Sequence, residues 1–203
     1  MTRTLAILSL LFAAACAPKA IISNPATDWR AVATDNDREK LRDWRSAFVD
    51  GLAQARAAGH GQALDAEGVL LQPDAALGGE PIPNGLYRCR VTKLGAQSAG
   101  MLPYVAYPYF SCRVQPASPL QGFAKLTGSQ RPVGRVFPGD ALRQVFLGTL
   151  MLGDETRAMQ YGIDPDRDVA AFVERIGPAR WRMVIPSPAF ESRTDVIELV
   201  PAN

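Results

Sequence analysis

The sequence predicts an α+β fold that is mainly antiparallel β, a small barrel or sandwich of about eight strands with one long N-terminal amphipathic helix. Two observations predict it. Apolar residues recur at helical spacing from about residue 36 to 58, and the pattern changes to alternation between about residues 86 and 200. The chain has 203 residues, 47% of them hydrophobic and 21% charged, which is enough for one domain with a sizeable core.

The first 15 residues have the pattern of a secretion signal. They combine an early Arg3 with an apolar run that is too short to span a membrane. The small residues before Cys16 resemble a bacterial lipobox, in which the signal is cut before the cysteine and the thiol is acylated, although Ala13 stands where leucine is commoner. The alternative is an ordinary cleaved signal and a soluble periplasmic protein. We expect export to the periplasmic face of the cell envelope, with lipidation at Cys16 and with inner or outer membrane left open.

Residues 16–33 are small, polar and proline-containing, which is typical of a tether between a lipid anchor and a folded body. A single globular domain is therefore predicted over residues 34–203. Lys and Arg number 22 and Asp and Glu number 20, and the basic residues are spread along the chain. This balance predicts no nucleic-acid partner and no strongly charged membrane-binding surface beyond the anchor.

The helix is predicted over about residues 36–58. Asp35 or Asn36 is suited to the N-cap and Gly59 to the C-cap. Its aromatic residues are interpreted as core because they are in register with the aliphatic stripe. That stripe comprises Leu41, Trp44, Phe48, Leu52 and Ala55.

The strands are predicted from alternating runs separated by Gly-, Pro- and Asp-rich turns. In LYRCRV the inward face would carry Tyr87, Cys89 and Val91, and YFSCRV repeats this pattern. ERIGPARWRMVI is typical of a hairpin, with Arg180 and Arg182 on the outward face. A sheet with this many strands must close or fold over to hide its edges.

Two cysteines remain once Cys16 is set aside, in a chain predicted to reach an oxidising compartment. Cys89 and Cys112 each lie on the apolar face of a strand, in the matched settings YRCRV and FSCRV. We therefore predict a disulfide between them.

Catalytic and metal-binding patterns are weak in this sequence. The single histidine, His60, lies between glycines, and the setting of Ser129 lacks the second glycine of a nucleophile elbow. Asp164, Asp166 and Asp168 alternate as in a calcium loop, but the required glycine and glutamate are missing. We predict no catalytic residues, no metal and no cofactor.

The candidate binding residues come from three polar or aromatic segments. Gly128 and Ser129 would end one strand, with Gln130 and Arg131 filling a turn. Tyr107 and Tyr109 of YVAYPYF could present flat faces to a ligand, although strand-core tyrosines are the commoner outcome. Glu191 belongs to the polar loop SPAFESRT.

Several motifs together resemble the bacterial envelope family called domain of unknown function 4893. They are GLYRCRVTKLG, YPYFSCRV, LTGSQRPVG, VFLGTL, RDVAAFVERIGPARWRMVIPSP and ESRTDVIELVP, and the resemblance extends from about Trp29 to Pro201. It implies a secreted or lipid-anchored protein of Gram-negative bacteria and no assigned activity. The residues that match the family motifs are Tyr87, Cys89, Cys112, Gly128, Ser129, Gln130, Arg131, Gly177, Trp181, Pro186, Pro188, Glu191 and Ser192.

Two functions remain open at this point. The favoured one is a non-catalytic, lipid-anchored envelope protein that binds a protein, peptide or lipid-like ligand through a barrel mouth or an exposed face. The alternative is an envelope hydrolase that uses Ser129 or a pair formed by Arg131 and Glu191. These expectations name an unidentified envelope protein or small ligand as the partner.

Overall fold

The computed structural model describes residues 27–202, and its main body is a closed barrel of eight antiparallel strands. Each strand pairs with the next, and β8 pairs with β1. The strands are β1 (Gly85–Ala96), β2 (Tyr104–Ala117), β3 (Leu120–Lys125), β4 (Gln130–Phe137), β5 (Arg143–Leu152), β6 (Asp168–Gly177), β7 (Arg180–Pro186) and β8 (Ser192–Pro201). The predicted antiparallel sheet of about eight strands is confirmed, and its closure makes it a barrel. The predicted signal segment and Cys16 lie outside the described residues.

The barrel interior follows the predicted alternation. Tyr87, Cys89 and Val91 of β1 belong to one buried apolar cluster with inward residues of the other strands. Cys89 and Cys112 form the predicted disulfide, with 5.8 Å between their Cα atoms. Because Cys89 pairs with Phe110 and Cys112 with Tyr87, the two cysteines are diagonal neighbours on the inner face.

The helical part differs from the prediction of one long helix. Its regular helices are α1 (Trp29–Val32), α2 (Asp35–Arg42), α3 (Trp44–Ala55) and α4 (Gly61–Ala66), with a π-helical turn at Arg56–His60 and a 3₁₀ turn at Gly68–Leu71. Thr34, and not Asp35 or Asn36, caps α2 by accepting a hydrogen bond from the backbone N–H of Asp37. Asp43, at φ −94° and ψ 11°, separates α2 from α3. Gly59 adopts a φ of +91° near the predicted end.

The break at Asp43 follows the curvature of the barrel wall, because α2 packs on β6 whereas α3 packs on β1, β7 and β8. The apolar face of α3 is confirmed, since Phe48 and Ala55 are buried with Leu94 and Val196 of the barrel's outer face. Trp29 packs in a second outer cluster. Residues 29–33, which the sequence analysis assigned to the tether, therefore belong to the folded body.

The ion pair of Arg182 and Glu174 is buried between the outer wall of the barrel and the chain that follows the helices. Arg182 points outward from the barrel as predicted, yet its exposure is 0% because the chain at residues 70–73 covers it. Its guanidinium donates to the carboxylate of Glu174 and to the backbone oxygens of Leu70, Gln72 and Pro73, at 2.7–2.9 Å. These bonds attach the segment after the helices to β6 and β7.

One end of the barrel, which we call the closed end, is covered by residues 77–84. Ile82 inserts into the interior cluster and is 1% exposed. Its backbone N–H donates to Gln144 Oε1 at 3.0 Å, and its backbone oxygen accepts from Gln121 Nε2 at 2.9 Å. The opposite end, which we call the open end, has no comparable cover among the described residues. Across residues 27–202, no helix is both long and apolar enough to span a bilayer.

Candidate functional site

The open end contains a cavity of about 970 Å³, including the space open to solvent, which we call the mouth. Its apolar wall is formed by inward residues from different strands, because alternation around a closed barrel converges such residues on one axis. These residues are Val91, Phe110, Pro132, Leu150, Ile185 and Ile197. The mouth is therefore a concave apolar surface of the kind that binds small molecules.

Three charged residues meet on one side of the mouth. Lys93 Nζ lies 2.9 Å from an Asp195 carboxylate oxygen and 3.2 Å from Glu191 Oε2. Burial by itself lowers the pKa of Lys93, but the two carboxylates outweigh it and the pKa is raised. Ser192 Oγ donates to the other oxygen of Asp195. The cluster is therefore held by ion pairs and a hydrogen bond, and its one ammonium and two carboxylates give it a formal charge of −1.

Lys125 has a different environment on the other side of the mouth. Its exposure is 4%, and its ammonium donates to the backbone oxygens of Thr127 and Gln130, each at 2.9 Å. The nitrogen also lies 3.7 Å from the centroid of the Phe110 ring. None of the ion pairs formed within residues 27–202 includes Lys125. Burial, helped by the charges of Arg131 and Lys93, lowers the pKa of Lys125 to about 8.

Gly128 allows the turn after β3 to fold over this ammonium. It adopts a φ of +89°, as expected for a turn glycine. A Cβ at this position would lie 2.7 Å from Lys125 Nζ and 2.9 Å from an atom of the Phe110 ring. Glycine is therefore needed here both for the backbone conformation and for the close approach of Lys125.

Four of the six predicted binding residues line the mouth, namely Ser129, Gln130, Tyr107 and Glu191. Gln130 and Arg131 belong to strand β4 and not to the preceding turn, which ends at Ser129. Arg131 does not line the mouth. Its guanidinium donates to the backbone oxygens of Gly128, Gly153 and Glu155 at 2.6–2.8 Å. The guanidinium of Arg131 and the carboxylate of Glu191 thus have separate partners and do not form the pair considered for hydrolysis.

Tyr107 and Tyr109 are separated by an irregularity in the pairing of β1 with β2. Arg90 pairs with Tyr109 but Thr92 pairs with Ala106, so one side of the ladder contains an extra residue. Tyr107 consequently lines the mouth. Tyr109 remains on the outer face, where its hydroxyl donates to Glu198 at 3.1 Å. Strict alternation would have placed both tyrosines on the same face.

The rim of the mouth includes the loop between β7 and β8, which has an unusual backbone. Ser187 and Glu191 are non-glycine residues with φ values of 44° and 70°. Gln97 holds the loop, since its N–H donates to the Glu191 oxygen at 3.0 Å and its side chain donates to the Ser192 oxygen at 2.8 Å and to the Pro188 oxygen. Backbone strain of this kind is frequent at binding sites. Phe190, which is 39% exposed, is also on this rim.

Lys93, Lys125 and Asp195 line the mouth but were not predicted from the sequence. A signal for them existed in the alternation of the predicted strands. Lys93 follows the inward Val91 by two residues, and Asp195 precedes the inward Ile197 by two. Lys125 likewise follows the buried Phe123. A charged residue at an inward position of a barrel strand is unusual and indicates a site near one end.

The weaker catalytic and metal candidates lie elsewhere or make local contacts. His60 stacks near Tyr104, with 5.2 Å between ring centroids, and does not line the mouth. Asp164 accepts from the backbone N–H of Asp166, and Asp168 accepts from that of Gly162. In the part of the chain that the structure describes, no group of three or more His, Cys, Asp or Glu residues is arranged to hold a metal ion.

Comparison with known proteins identifies the family of this chain. No curated protein and no solved structure matches the chain significantly. One family model matches residues 29–199, which cover the helices and nearly all of the barrel. On this match the chain belongs to the family described as Domain of unknown function (DUF4893).

Proposed function

We propose that this protein is a non-catalytic binding protein of the cell envelope that takes a lipid-like small ligand into the mouth of its barrel. The observation that carries the proposal is the difference between the two ends. At the closed end Ile82 inserts into the barrel interior, and the cavity of about 1090 Å³ at that end, including the space open to solvent, is lined by this cover and by polar residues such as Glu80, Asp140 and Arg143. The open end instead leads onto the apolar residues Val91, Leu150 and Ile197. An apolar concave surface with a few polar groups at its edge is typical of small-ligand sites.

A small ligand is favoured over a protein or peptide because the apolar surface at this end lies inside the barrel. A ligand there would contact residues of several strands at once and leave little of its own surface in water. An extended peptide would instead require an exposed strand edge, and the closed barrel offers none among its eight strands.

Fluorescence of an uncharged naphthylamine dye, N-phenyl-1-naphthylamine, tests this proposal on the full chain. We expect saturable enhancement that is displaced by 1-decanol. Leu150→Trp, which adds volume to the mouth, should weaken dye binding at least about tenfold. Leu142→Trp is the matched control, since Leu142 is an exposed residue at the closed end. Equal affinity of both variants and the parent chain would contradict a site in the mouth.

The proposed location is the periplasmic face of the envelope, with an acyl anchor on Cys16. It is supported by the sequence pattern before Cys16. Cell fractionation of the parent chain and of Cys16→Ser tests it. We expect the parent in the membrane fraction, and the variant either soluble in the periplasm or retained with its signal. A parent chain that is already soluble after export would contradict the anchor.

A hydrolase remains the second candidate because Ser129 lines the same mouth as Lys125, whose pKa is lowered to about 8. A lysine of this kind can activate a serine. However, Lys125 donates to two backbone oxygens, and no hydrogen bond of the described residues joins it to Ser129. Ser129→Ala separates the candidates, because a hydrolase would lose ester cleavage or its phenotype at unchanged protein level, whereas a binding protein would keep its ligand affinity.

A further inference from the structure

We infer that the ligand is an amphiphile with one anionic group, and that this group binds the ammonium of Lys125 while the apolar part contacts the interior of the mouth. The inference rests on the proposed ligand-binding function and deepens it by naming the class of ligand. It starts from a cation placed in an apolar cavity without an anionic partner.

The hydrogen bonding of Lys125 leaves one donor of its ammonium without an acceptor among the described residues. An ammonium has three donors, and the backbone oxygens of Thr127 and Gln130 take two of them, each at 2.9 Å. The Phe110 ring, 3.7 Å from the nitrogen, compensates only part of the cost of removing the charge from water. A carboxylate or phosphate oxygen would occupy the third donor and supply the missing opposite charge.

The other charged groups around the mouth already have partners or face elsewhere. Lys93 is paired with Asp195 and Glu191, and neither of these carboxylates forms an ion pair with Lys125. Lys40 Nζ lies 3.4 Å from Asp37. Asp168 accepts from the Gly162 N–H, and Ala170, two residues further along β6, packs in the outer cluster with Trp29.

Two further charged side chains, Arg131 and Asp166, belong to this end of the barrel. Arg131 donates to three backbone oxygens and adds positive charge beside Lys125. Asp166 lies on the exposed rim. The charges that act most on Lys125 are therefore the cations of Arg131 and Lys93, which favour an anion beside its ammonium.

The apolar residues determine the rest of the ligand. Phe110 belongs to both the ammonium's surroundings and the apolar wall, which continues through Leu150 and Ile197 towards the barrel axis. If an anionic head group binds Lys125, the tail attached to it would thus contact these apolar side chains. Burying each methylene of such a chain is worth about 0.8 kcal/mol, which favours an extended alkyl or acyl tail.

Four probes with the same ten-carbon tail test the inference by displacement of N-phenyl-1-naphthylamine from the full chain at pH 7. They are decanoate, decyl phosphate, 1-decanol and decyltrimethylammonium. We expect the two anions to bind about tenfold more tightly than the alcohol, and the cation to bind least. A preference for decanoate over decyl phosphate, or the reverse, identifies the head group within the anionic class.

Lys125→Met should remove the preference for anions while leaving 1-decanol affinity within about twofold, because a methionine side chain retains the apolar contacts. Arg88→Met is the matched control, since it removes an exposed cation of the outer wall and should keep the preference. If Lys125→Met does not fold, pH provides a second test on the parent chain. Decanoate affinity should fall about tenfold from pH 7 to pH 9, and 1-decanol affinity should not change.

The outcomes separate the two proposals. Equal affinity for all four probes, or an anion preference that survives in Lys125→Met, overturns the inference and leaves the binding function intact. Failure of the dye and of every probe to bind overturns the binding function itself.

Discussion

The two ends of the barrel close the same sheet in different ways. At the closed end the inward polar side chains are the amides of Gln121 and Gln144, and both bond to the backbone of Ile82. At the open end the inward polar side chains are Lys93, Lys125 and Asp195, and they line a cavity that opens to solvent, although the turn after β3 folds over the Lys125 ammonium.

The difference shows how a barrel keeps one end free for a ligand. A neutral amide is satisfied by one or two hydrogen bonds from a short chain segment, so it is suited to hold a permanent cover. A buried ammonium needs either a carboxylate, as Lys93 has, or water and ligand oxygens. Lys125 has two backbone oxygens and an aromatic ring, which leaves its charge uncompensated.

The largest expected loss of stability comes from removing a buried charge at the open end, and we compare it with the removal of an amide at the closed end. Lys93→Met leaves Asp195 buried without its cation, and we expect the free energy of unfolding to fall by about 3–5 kcal/mol at pH 7. At the closed end, Gln144→Met leaves the Ile82 N–H without an acceptor and should cost about 1–3 kcal/mol. Urea unfolding of both variants measures the contrast. A smaller loss for Lys93→Met than for Gln144→Met would contradict it.

The second comparison is between apolar residues of the two ends. Ile82→Ala removes the side chain that inserts into the interior cluster at the closed end, and we expect a loss of about 2–5 kcal/mol in the free energy of unfolding. Leu150 is only partly buried in the mouth, so Leu150→Ala should cost about 1 kcal/mol. Thermal unfolding at one protein concentration compares them. Equal losses would mean that the two ends are packed alike.

Removing the disulfide tests whether the two ends of the barrel unfold together. The bond joins β1 to β2 within the interior cluster, which lies between the two ends. We expect the double variant Cys89→Ala and Cys112→Ala, made with Cys16→Ser, to lose about 3 kcal/mol. Dye release from the mouth and loss of the circular dichroism signal should still coincide on heating. The parent with Cys16→Ser should show no free thiol when denatured without reductant, and two thiols would contradict the pairing.

The smallest expected effect is the change in the free energy of unfolding with pH that the ionisation of Lys125 causes. The pKa of Lys125 is lowered to about 8 by burial in the folded chain, from 10.5 for an ordinary lysine. Between these values the unfolded chain binds more protons, so the free energy of unfolding should rise with pH. The expected rise from pH 8 to pH 10 is on the order of 2 kcal/mol relative to Lys125→Met.

Urea unfolding at intervals of half a pH unit measures this rise. Below pH 8 the lysine is charged in both states, and no pH-dependent difference should remain. Arg88→Met, as control, should follow the parent chain. Parallel curves for the parent and Lys125→Met would show that Lys125 ionises as an exposed lysine does.

Local patterns predicted much of the fold. The period-two alternation predicted about eight strands and the inward face of β1 and β7, because each side chain's face follows from its position in an extended chain. The same pattern and the cysteine count predicted the bond between Cys89 and Cys112. Gly128 was predicted to end a strand, and it follows β3 in the turn, with a φ of +89°.

The candidate site was predicted only in part. Ser129, Gln130, Tyr107 and Glu191 do line the mouth, but Arg131 and Tyr109 do not. Tyr109 is next to the inward Phe110 and so lies on the outer face, whereas the β1–β2 irregularity, which depends on pairing between strands, brings Tyr107 to the inner face. Arg131 was misplaced because its backbone acceptors at Gly153 and Glu155 come from another part of the chain.

By itself, the sequence determined the strands, the disulfide partners and the apolar face of the helical region, because these depend on the spacing of residues along one chain segment. The tertiary structure decided what depends on contacts between distant segments. It divided the predicted helix at Asp43 where the wall curves, buried Arg182 under residues 70–73, and closed one barrel end with Ile82. It also placed Lys125 in the apolar mouth without a carboxylate partner, because the pairing of charges depends on which strands meet around the barrel.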